Sequence, residues 1–117
     1  MFGFEKLEVW QKAIEFADRV YEVTKQFPKE ERYGLTSQMR RDSVSVSSNV
    51  AEGSSRSSNK DCVRFIEIAY GSLLECVSQM HVALRQRYLP QEDFDDLYVR
   101  AERLSRMLSG LKASKSR

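Results

Sequence analysis

The stretch Met39-Arg40-Arg41-Asp42-Ser43-Val44-Ser45-Val46-Ser47-Ser48-Asn49-Val50-Ala51-Glu52-Gly53 decides how this chain is read. Leu35, Met39, Ser43, Val46 and Val50 recur at three- and four-residue steps, the spacing of one face of an α-helix. Val44 and Ala51 lie on a different face, beside Arg40 and Ser47. The serines are poor helix formers, because their hydroxyls compete for nearby backbone groups. Their small size, in return, lets a neighbouring helix come close. The segment reads as a helix from Leu35 or Thr36 to about Ser54. The run Gly53-Ser54-Ser55-Arg56-Ser57-Ser58 breaks it.

Three further helical segments surround this one. The first covers about residues 5–26, with Leu7, Trp10, Ile14, Ala17, Tyr21 and Thr24 as one apolar row. Val9, Ala13, Phe16, Val20 and Val23 form a second row beside it, so contacts are expected on more than one side. Phe27-Pro28 ends the segment, since the residue before proline avoids the α region. A charged connector, Lys29 to Gly34, follows. The third helix covers about residues 59–88 after a Ser58 or Asn59 N-cap, with Cys62, Phe65, Ile66, Ala69, Leu73, Val77, Met80 and Leu84 inward. Gly71 inside it is read as a close-contact position. The fourth covers about residues 91–111, with Phe94, Leu97, Ala101, Leu104, Leu108 and Leu111 inward, and residues 112–117 are expected to fray. Short connections make successive helices antiparallel. The expected architecture is all-α, an up-down four-helix bundle forming one domain over residues 1–117.

Composition narrows the function. The 117 residues are 41% hydrophobic and 31% charged, as in globular proteins. No apolar run approaches the ~20 residues of a membrane span, and Met1 to Lys6 does not resemble a signal peptide, so a cytoplasmic location is expected. The net charge of +2 is too small to argue for nucleic acid by itself. Cys62 and Cys76 lie on one predicted helix, about 21 Å apart at 1.5 Å per residue, beyond disulfide reach. With His81 the single histidine, no metal site or cofactor is expected. No phosphate loop, nucleophile elbow or metal-binding histidine pair is present, so no enzymatic activity and no small-molecule substrate are expected.

The remaining candidates are polar and basic. Asn49 and Glu52 sit one turn apart and read either as a partner-binding pair or as a polar lock that also draws in Glu75 and an arginine such as Arg41 or Arg64. Arg40 and Arg41 point about 100° apart on their helix. With Arg56, Lys60 and Arg64 they form either a phosphate-contacting patch or ordinary salt bridges with Asp42, Asp61 and Glu67. In the fourth helix, acids precede bases in the sense that suits the macrodipole. The spacing of Arg100, Arg103 and Arg106 adds a possible basic row. Val9, Phe16, Val20, Val44 and Ala51 are the apolar positions left over for contact between subunits.

Four blocks carry a family resemblance. Phe4-Glu5-Lys6-Leu7-Glu8-Val9-Trp10-Gln11-Lys12-Ala13 opens the chain, and Phe27-Pro28 to Arg40-Arg41 follows. Ser45-Val46-Ser47-Ser48-Asn49-Val50-Ala51-Glu52-Gly53 is similar to a signature written S-I-P-x-N-I-A-E-G; Phe65, Ala69, Gly71-Ser72-Leu73 and Glu75 fit a fourth block, on the third helix. Together they resemble the four helix bundle protein family, also called the 23S rRNA intervening-sequence proteins. Ser47 stands where many relatives carry proline, so the second helix is expected to be less kinked. The family is similar to the accessory variability determinant of diversity-generating retroelements. That likeness implies a homopentameric barrel with a basic surface, and structured RNA, DNA or a reverse-transcriptase-like nucleoprotein as partner. A protein-interaction scaffold without nucleic-acid contact is the alternative.

Overall fold

The computed structural model describes residues 1–116, and among these every regular element is helical. A 3-10 turn, Gly3–Lys6, leads into α1, Glu8–Thr24; α2 spans Leu35–Ser54, α3 Asn59–Arg85 and α4 Gln91–Lys115. Each helix packs on the next and α4 closes back on α1, leaving α1–α3 and α2–α4 as diagonal pairs. The result is a four-helix bundle 43 Å long and 22 Å across. The length matches α3, whose 27 residues span about 40 Å at 1.5 Å each. No helix among the described residues is long and apolar enough to cross a membrane.

Local chemistry sets the helix ends. At the start of α2 the Leu35 N–H donates to Glu31 Oε1 at 3.0 Å, so a connector side chain caps the helix. Ser58 Oγ accepts from the Asp61 N–H at 3.1 Å and caps α3. At the far end of α3, Arg87 adopts a left-handed φ of 66°. The Tyr88 N–H then reaches back to Ala83 O at 2.9 Å and the Arg87 N–H to Leu84 O at 3.0 Å, closing a Schellman turn. This turn buries Leu89 and aims the chain into Pro90, where α4 begins.

The core corrects the reading of α1. Val9, Ala13, Phe16, Val20 and Val23 are its buried stripe, joined by Ala17 and Thr24 from the other row, while Ile14 and Tyr21 are exposed and Trp10 is half-buried. Val9, Phe16 and Val20 therefore belong to the bundle interior and are not free for a subunit contact. The physical reason is the wide apolar arc of α1: its centre faces the axis between α2 and α4, and its edge looks out beside α2. The inward stripes expected for α2, α3 and α4 are at least half-buried throughout.

Two further expectations change. α4 stays helical to Lys115, beyond residue 111, and Lys112 Nζ bridges to Glu67 on α3 at 3.0 Å. Residue 117 lies outside the described residues. Gly71 is exposed, and a Cβ built there would meet nothing within 4 Å. The close approach is at Gly53 instead, where a Cβ would lie 3.1 Å from Phe65 Cβ and 3.3 Å from Cys62 O.

Candidate functional site

The α2–α3 seam is the most extensive helix contact in the molecule, and small polar groups run along it. Ser45 Oγ and Ser72 Oγ share a hydrogen bond of 2.8 Å across the seam. Asn49 Nδ2 donates to Ser45 O at 2.8 Å and to Ser45 Oγ at 3.0 Å, fixing that hydroxyl from the next turn. Further along, Gln79 Nε2 donates to Asp42 Oδ2 at 2.8 Å. The Cys76 thiol points at Met39 O, 3.8 Å away. Burial, with Asp42 adding to it, pushes this thiol up to about 12, so it stays protonated and unreactive at neutral pH. Both cysteines are free and buried.

A polar lock therefore exists, with a different membership from the one expected. Asn49 belongs to it through Ser45, which in turn bonds Ser72. Glu52 points outward and forms an i,i+4 pair with Arg56 at 3.4 Å. Glu75 is exposed and makes no side-chain hydrogen bond or ion pair among the described residues. A helical glutamate has the reach to leave a tight seam for water, where its charge costs nothing to keep solvated. Serine and asparagine are short enough to stay inside.

The arginines divide into structural and exposed groups. Arg40 Nε donates to Thr24 Oγ1 at 2.8 Å and Nη2 to Tyr21 O at 3.3 Å, and its guanidinium lies 4.7 Å from the Tyr21 ring centroid. It ties α2 to the last turn of α1. Arg41 is exposed. Arg100 bonds Asp96, one turn back on α4, at 3.1 Å. Asp96 in turn accepts from Arg19 Nε at 2.8 Å, while Arg19 Nη2 reaches Asp93 at 3.0 Å. This clasp between α1 and α4 left no mark in the sequence pattern. The Arg19 hydrogen bond, with Arg100 adding to it, holds the Asp96 carboxyl below the usual carboxylate range. Arg103 and Arg106 are exposed. Three-residue steps drift by about 60° each on a helix, so Arg100, Arg103 and Arg106 fan around α4 and do not form one row.

Basic groups do gather at one end of the bundle, where α2 ends, α3 begins and α4 ends. Lys60, Arg64 and Lys115 line an open depression of about 560 Å³, with Asp61 and Glu67 also on its wall. Glu67 is engaged by Lys112. Arg56 lies in the adjoining turn with its guanidinium 4.6 Å from the Phe65 ring centroid, and Arg64 lies 5.4 Å from the same centroid. Two guanidinium groups thus share one aromatic ring, an arrangement that orients them despite their exposure. Lys60, Arg64 and Lys115 make no ion pair among the described residues. Of the eight basic candidates read from the sequence, the fold brings Arg56, Lys60 and Arg64 together, adds Lys115, and assigns Arg40 and Arg100 to internal ties.

His81, away from this end, sits exposed with its ring edge-on to Phe94 at 5.0 Å. No group of three or more His, Cys, Asp or Glu able to hold a metal ion occurs among the described residues.

These features define an all-α four-helix bundle with a polar central seam and a cationic end. More specifically, the chain belongs to the 23S rRNA-intervening sequence protein family, whose sequence model matches residues 5–110. A similar solved structure is a protein of unknown function from the S23 ribosomal protein family of Bacteroides thetaiotaomicron VPI-5482. It aligns with a TM-score of 0.80 at 20% identity, covering 89% of this chain and 97% of that one. At that identity the likeness speaks for the fold alone. A search of curated proteins finds no match.

Proposed function

We propose that this protein is a non-enzymatic, cytoplasmic binding protein that engages structured RNA, or a nucleoprotein containing it, through the cationic end of the bundle. The observation that carries this reading is the convergence of Lys60, Arg64 and Lys115 from two helix ends around one open depression, with Arg56, paired with Glu52, in the adjoining turn. Cations without internal partners gain by neutralising phosphates and releasing counterions. The family's association with 23S rRNA intervening sequences points to RNA over DNA.

The exposed apolar edge of α1 and α2 supports assembly into a homo-oligomer, with the family resemblance favouring a pentameric barrel. Ile14 and Tyr21 are each 42% exposed and Val44 is 39% exposed, with half-buried Ala51 further along α2. Arg40 against Tyr21 and Thr24 fixes the antiparallel register of the two helices. In that register Ile14 lies level with the second half of α2. A ring of copies would place several cationic ends on one rim, multiplying weak phosphate contacts.

Fluorescence anisotropy with a labelled hairpin RNA over a range of salt concentrations tests the binding. Affinity is expected to fall steeply with salt. Lys60→Glu with Arg64→Glu is expected to flatten the slope of log K against log salt by about 1.4–1.8, at roughly 0.7–0.9 for each phosphate no longer neutralised. No RNA affinity at low salt would refute the reading. The same edge favours the second reading, a protein-interaction scaffold without nucleic-acid contact. Recovery from the host of a protein partner that survives nuclease treatment would support it. A monomeric mass by light scattering would remove the oligomer.

A further inference from the structure

Beside the cationic depression lies a larger groove of about 820 Å³, walled mainly by apolar side chains such as Phe2, Phe4, Leu7 and Ile66, with Glu52 and Lys115 as its charged residues. Its volume falls within the range of about 300–1,000 Å³ typical of ligand clefts. Lys115 lines both the groove and the depression, so the two adjoin at that side chain. One wall of the groove carries an unusual feature. Phe2 is 73% exposed, yet its backbone is tied on both sides. Its N–H donates to Glu5 Oε1 at 2.8 Å, and the Glu5 N–H donates back to Phe2 O at 3.1 Å.

The Phe2 ring is also supported from behind. It lies parallel to Phe4, within 4° and with centroids 6.2 Å apart, and Phe4 packs edge-on against Trp10 at 5.1 Å. Gln11 Nε2 donates to Glu5 O at 2.9 Å and secures the whole turn to α1. The aromatic ladder therefore starts from a half-buried tryptophan and ends in an exposed ring. Burial does not explain this order, since a phenylalanine that exposed gains little from the hydrophobic effect. A fixed, exposed ring beside unpaired cations matches what an unstacked nucleobase needs: a π-face for the base and ammonium or guanidinium groups for its flanking phosphates.

Resting on the RNA reading above, we infer that the groove takes an unpaired base of a bound RNA, stacked on Phe2, with Lys115, Lys60 and Arg64 holding the adjacent backbone. The recognised element is thus a loop, bulge or single-stranded end, and a continuous duplex lacks the base that fills the groove. Charge complementarity selects this occupant over an apolar peptide. Glu52, the acid that lines the groove, is engaged by Arg56, and Glu67 by Lys112; Asp61 makes no ion pair among the described residues, so Lys60, Arg64 and Lys115 outnumber the one carboxylate left beside them. The cations at its margin are left for an anionic strand.

The test compares two labelled RNAs of equal phosphate number, one a hairpin with an unpaired loop and one a blunt duplex, on the full chain. Phe2→Ala is expected to weaken loop binding by about 5- to 150-fold, the loss of one base–aromatic stack. Duplex binding, the salt slope and the melting temperature are expected to stay unchanged, since Phe2 makes no core contact; Phe2→Trp is expected to keep the affinity. A 2-aminopurine placed in the loop is expected to be quenched on binding to the wild type and unquenched with Phe2→Ala. Equal affinity of Phe2→Ala and wild type for the loop, or an equal loss on loop and duplex, would overturn the stacking site while leaving RNA binding intact. A change of oligomeric mass in Phe2→Ala with no change in RNA affinity would assign the groove to contact between copies and overturn it too. Absence of binding to either RNA by the wild type would remove both readings together.

Discussion

Gly53 and Gly71 are both helical glycines, and exchanging each for alanine separates intrinsic propensity from packing. Alanine is favoured over glycine in a helix interior by about 0.8–1 kcal/mol. At Gly71, exposed and with nothing within 4 Å of the added methyl, that gain stands alone. Gly71→Ala is expected to stabilise by about 1 kcal/mol, or about 4 °C in Tm for a domain of this size. At Gly53 the same methyl lies 3.1 Å from Phe65 Cβ and 3.3 Å from Cys62 O. Neither neighbour is the free end of a flexible side chain, so α2 and α3 must separate by a few tenths of an ångström. Overpacking of this kind costs about 1–3 kcal/mol. Gly53 also lies one residue from the end of α2, where the propensity gain is at most about 1 kcal/mol. The net expectation is a loss of between about 0 and 3 kcal/mol. Thermal and urea denaturation followed by circular dichroism reads both variants against wild type. If Gly53→Ala raises Tm as much as Gly71→Ala does, the seam is looser than described and the account of its serines falls with it.

Arg40→Ala is expected to cost about 1–2 kcal/mol through loss of the Thr24 and Tyr21 contacts, whereas Arg41→Ala should fall within about 0.5 kcal/mol of wild type; equal effects in urea melts would remove the distinction between them. Asp96 has its folded pKa below its unfolded value, so its contribution to stability is full above about pH 4 and is lost as pH falls through the lower, folded value. Asp96→Asn should therefore flatten the decline of Tm between neutral pH and acid, by less than about 1 kcal/mol because the pair is one-third exposed; a profile parallel to wild type contradicts the clasp. Arg87→Gly relieves a left-handed residue whose strain is about 1 kcal/mol. It should raise Tm by a few degrees, and a lowered Tm would mean that the Arg87 side chain, not its backbone, holds the turn.

Much of the bundle was legible because helical periodicity and helix-stop signals coincide. Pro28, Ser58 and Pro90 mark boundaries that the fold respects within a few residues. The orientation of α1 was less so: two apolar rows lie side by side, and hydropathy alone does not say which faces the axis. The lock around Asn49 was legible as a polar site at a helix seam. Its membership was not, since the distance of a side chain from solvent decides whether Glu52 and Glu75 pair inward. The clasp of Arg19 with Asp93 and Asp96 joins residues more than seventy positions apart, beyond any local pattern. The cationic end was half legible: Arg56, Lys60 and Arg64 are neighbours in sequence, but Lys115 arrives only because α4 stays helical to its last turn. Phe2 carried no signal at all, because exposure of an aromatic ring is a property of the folded surface.

The hydroxyl-rich seam bears on the order in which the molecule assembles. Seven of the twenty residues of α2 are serine or threonine, so as an isolated segment it would be weakly helical. α3, longer and richer in leucine, alanine and other strong formers, is the better candidate to form early. The turn between them is only residues 55–58, so closing the hairpin costs little chain entropy. α2 would then become helical against a surface already in place, with the Ser45–Ser72 hydrogen bond and the Gly53 contact forming as it docks. Substitutions in α3 should accordingly slow folding, while those on the exposed face of α2 should mainly speed unfolding. Low φ-values throughout α3 would reverse that order.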